Sequence, residues 1–127
     1  MTEEQGSRQA KIESVLRDVV QQGQFGGAVV ATEEGLPIAI VNATSIDTKL
    51  IGAVAASIRD LAARAQQNLD EIRLRDRHGH LVVSRYFTIA APQGKYNLLI
   101  AVQVPKHKPY RRLLNQAIRR IQQVWLA

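Results

Sequence analysis

The stretch Asn97-Leu98-Leu99-Ile100-Ala101-Val102-Gln103-Val104 constrains the fold most, because it is nearly all apolar. A strand with one wet face alternates polar and apolar residues. A run of this kind suits a central strand covered on both faces. Pro105 ends it, since proline has no N–H to give to a ladder. Any sheet built around this strand therefore needs helices above and below.

The rest of the chain supplies both. Gly26 to Thr32 (GGAVVAT) reads as a buried strand, and Leu36 to Asn42 (LPIAIVN) returns from it. Between them Glu33-Glu34-Gly35 is a turn in which glycine takes positive φ at no steric cost. Pro37 belongs at a strand start or on an edge. Glu71 to Asp76 sets Glu71, Arg73 and Arg75 against Ile72 and Leu74, the period of a strand with one wet face. Arg77-His78-Gly79-His80 turns the chain into a long strand from Leu81 to Ile89, which Pro92-Gln93-Gly94 breaks.

Three helices complete the order. The first spans about Ser7 to Gln22, with Ile12, Val15, Leu16 and Val19 as its apolar stripe, Ser7 as a cap and Gly23 as a stop. The last begins at Lys108 or Pro109, with Leu114, Ala117, Ile118, Ile121 and Trp125 on one side. The central one runs from Thr48 to Gln67 after Thr44-Ser45-Ile46-Asp47, which matches a capping box. The expected fold is α+β, in the order α-β-β-α-β-β-β-α, with a five-stranded, mainly antiparallel sheet. The two terminal helices lie on one face and the central helix on the other. Residues 1–127 form a single domain, of which 1–7 are expected to be flexible.

The central helix has two unlike faces. Leu50, Ile51, Val54, Ile58, Leu61 and Ala65 recur at helical spacing and are expected to cover the sheet. Opposite them lie Gly52, Ala56 and Ala63, edged by Ala53, Arg59, Asp60 and Gln67. Small residues there either reflect alanine's helix propensity or let a second helix approach the backbone. The strand order leaves that face with nothing in this chain to touch.

Charge is uneven. Lys106, Lys108, Arg111, Arg112, Arg119 and Arg120 lie within one acid-free stretch, and the remaining 11 basic residues balance 11 acidic ones, for a net +6. The basic segment suits nucleic acid, anionic lipid or an acidic protein, or is simply a solvated helix face. Nucleic acid is disfavoured, because the helix commits its other side to the core and no helix-turn-helix, zinc-finger or RRM signature accompanies it. The chain has no cysteine, no apolar leader and no run long enough to span a bilayer, so a reducing, cytoplasmic location is expected. The Asn42-Ala43-Thr44 sequon has no meaning without secretion.

No catalytic constellation is apparent. Ser84 lies within a strand, and no serine sits in G-x-S-x-G. The carboxylates occupy turns and wet faces, where nothing separates their pKa values. Gly26-Gly27 lacks the lysine of a phosphate loop. His78-x-His80 gives two ligands on a turn with no third nearby, and His107 sits among lysines, so neither a metal nor a cofactor is expected. The chain is not expected to be an enzyme.

The element order resembles that of the Roadblock/dynein light chain family. The resemblance rests on Gly27-Ala28-Val29-Val30-Ala31 with Glu34-Gly35-Leu36-Pro37-Ile38-Ala39, on the Ala-rich helix that follows, and on Asn97 to Val102 leading into a last helix. It covers about residues 8–125 and is nearest to short prokaryotic members, among them a bacterial polarity regulator that activates a Ras-like GTPase. What it implies is a noncatalytic dimeric regulatory scaffold, homodimeric or paired with a related subunit, that binds and regulates a Ras-like small GTPase. The alternatives are a structural interaction module of a cytoskeletal or signalling assembly, or a basic-surface binder of nucleic acid or lipid. In the family, central helices of two subunits pack side by side and a sheet edge pairs across the two-fold. Carried onto this chain, the dimer interface is Gly52, Ala53, Ala56, Arg59, Asp60, Ala63 and Gln67, with Glu71, Arg73 and Arg75 on the pairing edge. The chain ends soon after Trp125, so the C-terminal extension that some members use on their partners is not expected.

Overall fold

A computed structural model describes residues 3–44 and 47–127. The elements are α1 (Glu3–Gly23), β1 (Gly27–Thr32), β2 (Pro37–Asn42), α2 (Thr48–Arg64), β3 (Glu71–Arg75), β4 (Leu81–Ala91), β5 (Gly94–Val104) and α3 (Arg111–Leu126). The sheet is wholly antiparallel, in the order β2-β1-β5-β4-β3. The apolar run from Asn97 to Val104 lies in the central strand β5, buried from Leu98 to Val104. Pro37 starts edge strand β2 at a register irregularity, where a missing N–H costs least.

Helix ends differ from the sequence reading. α1 begins at Glu3, so Ser7 lies inside the helix rather than at its cap. α2 is capped by Asp47, whose carboxylate accepts from the Leu50 N–H at 3.1 Å. Ser45 and Ile46 of the expected capping box lie outside the described residues. α3 starts at Arg111 behind Tyr110, which makes no side-chain capping bond.

The sheet carries a core on each face. On one side α1 and α3 lie together, and Ile12, Leu16, Leu114 and Ile121 close over Val30, Val83, Ile100 and Val102. Arg120 reaches across to Asp18 at 2.9 Å, and the Arg8 guanidinium stacks 4.5 Å from the Trp125 ring centroid. On the other side α2 covers Val29, Ala31, Leu99, Ala101 and Tyr86.

The orientation of α2 is the reverse of the expected one. Its buried residues are Thr48, Gly52, Ala55 and Ala56. The large stripe points outward, with Leu50 59 %, Val54 40 % and Leu61 63 % exposed. Close approach is the physical reason. A Cβ on Gly52 would stand 3.3 Å from Val29 Cγ1. At Gly35, with φ +91°, a Cβ would stand 3.1 Å from the Ala53 Cα. A helix held this near a sheet and its turn has room only for small residues, so the leucines go to the outside.

Candidate dimer and partner interface

The outward side of α2 and the adjoining half of the sheet form one surface. Ile51 and Ile72 pack at the margin of the α2 core, each only partly buried. Leu74, two residues along β3 from Ile72, shares its face and is 43 % exposed. Val82 lies opposite Leu74 in the ladder and is half-buried on that same face. Leu50, Val54 and Leu61 of α2 and Leu74 of β3 are thus large apolar side chains left exposed on the α2 side of the molecule. β3 pairs with β4 alone among the described strands, so the groups on its other edge have no partner in this sheet.

The residues assigned to the interface from sequence divide into three groups. Gly52 and Ala56 are covered by this chain's own sheet and cannot meet a partner, which corrects the expectation for both. Ala53 lies against the β1–β2 turn. Arg59, Asp60, Ala63 and Gln67 lie on the side of α2 toward Glu33 of the β1–β2 turn and the approach to β3 at Leu69 and Asp70. There Arg59 stands 3.6 Å from Glu33 and 5.3 Å from the Tyr86 ring centroid, while Asp60 pairs with Arg64 at 3.1 Å. Ala63 and Gln67 line a shallow depression of about 370 Å³ with Glu33 and Asp70. Glu71, Arg73 and Arg75 do lie on an edge strand, but their side chains alternate with Ile72 and Leu74 and so belong to the α1/α3 side of the sheet. Glu71 accepts from Arg85 Nη2 at 2.9 Å and Nε at 3.3 Å, and Arg73 Nε stands 3.7 Å from its other oxygen.

Tyr86 ties α2 to the sheet. Its hydroxyl donates to the Ala55 carbonyl at 2.6 Å. Burial raises its pKa above the ordinary 10.0, against the opposing pull of Arg59. Reading Tyr86 as a helix anchor was beyond the sequence, because its partner is a main-chain oxygen 31 positions away.

Lys106, Lys108, Arg111, Arg112 and Arg119 are exposed, whereas Arg120 is turned toward Asp18 and leaves the patch. At the β3–β4 turn Asp76 accepts from the main chain of His78 at 2.8 Å and of His80 at 3.0 Å, with the His80 ring 3.0 Å away. Desolvation works to raise the Asp76 pKa, but these contacts together outweigh it and leave the carboxyl below its ordinary 3.8. Among the described residues no group of three or more His, Asp or Glu side chains gathers in a metal-holding arrangement.

Residues 11–86 match the family model of the Roadblock/LC7 domain. The chain belongs to that family. Three solved structures share its Roadblock fold. The Roadblock/LC7 domain from Streptomyces avermitilis is 14 % identical, with a TM-score of 0.64 over 89 % of this chain and 93 % of that one. The gliding protein MglB from Thermus thermophilus is 12 % identical, with a TM-score of 0.68 over 92 % and 90 %. Myxococcus xanthus MglB is 13 % identical, with a TM-score of 0.62 over 92 % and 86 %. No curated protein sequence matches the chain. No helix among the described residues of this Roadblock chain is long and apolar enough to cross a membrane.

Proposed function

We propose that this Roadblock/LC7 chain is a noncatalytic, cytoplasmic regulatory scaffold that dimerises through α2 and β3 and binds a Ras-like small GTPase. The observation that carries the reading is the outward stripe of Leu50, Val54 and Leu61, beside the half-exposed Leu74 and an open strand edge. Large apolar side chains exposed together on one side of a molecule mark a protein interface. Burying one leucine side chain contributes about 1.5–3 kcal/mol, so several together favour a stable assembly. The partner of stripe and edge is a second copy. β3 meets β3 in antiparallel fashion, which a two-fold axis satisfies with the same residues on both sides.

The GTPase rests on kinship with the family and on the likeness to two MglB structures. A further MglB structure is described as having a tetrameric arrangement, which fits a scaffold built from repeated contacts. The depression beside Arg59, Ala63 and Gln67 lies on another side of α2 from the stripe and is open to such a partner. Pull-down from native lysate, with and without a nonhydrolysable GTP analogue, tests the assignment. Nucleotide-dependent recovery of a small GTPase supports it. Recovery of other proteins alone favours a structural interaction module.

A further inference from the structure

The side of the sheet away from α2 carries a charge pattern that the segment from Lys106 to Arg120 shows only in part. Arg73 and Arg75 of β3, with Arg77 of the following turn, are exposed. They adjoin Lys106, Lys108, Arg111 and Arg112 of the β5–α3 connection and first helical turn. Three contacts join the two groups into one surface. Arg73 Nη1 donates to the Tyr110 hydroxyl at 3.4 Å. The Arg111 guanidinium stands 5.9 Å from the Tyr110 ring centroid. The Lys106 side chain lies beside Gly79 of the β3–β4 turn. Glu71 and Asp76, which adjoin this surface, are both engaged: Glu71 with Arg85 and Arg73, Asp76 with the turn.

We propose that this surface docks the protein on a membrane bearing anionic phospholipids. The inference rests on the dimer reading above for its geometry. A two-fold that pairs two antiparallel β3 edges in one sheet stands perpendicular to that sheet. It therefore sets both α2 helices on one side and both basic surfaces on the other, facing the same way. A plane of anionic headgroups meets two such surfaces at once, and the α2 side is left free for a protein partner. Single-stranded nucleic acid fits less well. It binds by stacking on open aromatic rings, and Tyr110, the aromatic here, is half-buried between Arg73 and Arg111. Each basic residue near an anionic surface raises partitioning about fivefold, and the attraction is screened by salt.

Vesicle cosedimentation tests this. The comparison sets phosphatidylcholine alone against phosphatidylcholine with phosphatidylglycerol, alongside a mobility shift with a DNA duplex. Wild-type protein is expected to pellet with the anionic vesicles only, and to be released by salt. Lys108→Glu with Arg112→Glu, both exposed side chains, should lower partitioning at least about 25-fold while the protein stays folded and dimeric by sedimentation. No pelleting of a dimeric wild-type protein overturns the proposal, as does a double variant that binds like wild type. A duplex shift without vesicle binding overturns it in favour of nucleic acid. A wild-type protein that sediments as a monomer yet pellets with anionic vesicles supports the lipid surface and overturns only the dimer reading.

Discussion

The two faces of the sheet are packed by opposite rules. Against α1 and α3 the core is made of large side chains, with Ile12, Leu16, Leu114 and Ile121 wholly buried. Against α2 it is made of small ones, with Gly52, Ala55 and Ala56 at the contact and the leucines outside. Two helices on one face stand off at the distance their large residues set. The single helix on the other face comes close and is held by glycine and alanine, and its large stripe is left for something else. An amphipathic stripe therefore shows that a helix has an apolar side, and not which surface that side covers.

Breaking each face should cost differently. Leu114→Ala removes a wholly buried side chain between α3 and the sheet, and should lower stability by about 2–5 kcal/mol in denaturant unfolding. Gly52→Leu inserts bulk where even a Cβ is tight against Val29, and should cost about 1–3 kcal/mol by pushing α2 off the sheet. A gain of stability there would mean that α2 is not held close. Tyr86→Phe removes the hydroxyl that anchors Ala55, and should cost about 1 kcal/mol. Alkaline titration sharpens the same point. The Tyr86 pKa is raised in the fold, so its contribution is intact below pH 10 and is lost as pH rises through the higher folded value. Phenolate absorbance should show a late-ionising tyrosine that Tyr86→Phe abolishes. The smallest effect on the folded monomer is expected from Leu61→Ala, within about 0.5 kcal/mol, since that side chain lies mainly in solvent.

Much of this was legible in the sequence. The apolar run ending at Val104 demanded cover on both sides, and β5 is the strand with neighbours and helices all around it. Period-two alternation from Glu71 to Arg75 marked a half-wet strand, which is the sheet edge. Helix ends were less legible, because Asp47 rather than an upstream serine or threonine supplies the cap of α2. The facing of α2 was misread for a deeper reason. Large apolar residues ordinarily face inward, but the distance of this helix from the sheet is set by Gly52 and by the turn at Gly35. Those contacts join residues far apart in the chain, and no local pattern reports them. The basic surface was half legible. Lys106 to Arg112 are contiguous, whereas Arg73 and Arg75 reach them only through the fold.

The central claim is that the large stripe of α2, and not its small face, joins two copies. Sedimentation velocity on Leu50→Glu with Leu61→Glu tests it most directly, with circular dichroism to confirm folding and Ala63→Arg, an exposed residue on another side of α2, as the control. The expected result is a folded monomer for the double variant and a dimer for the control and the wild type. A double variant that still sediments as a dimer would contradict the assignment.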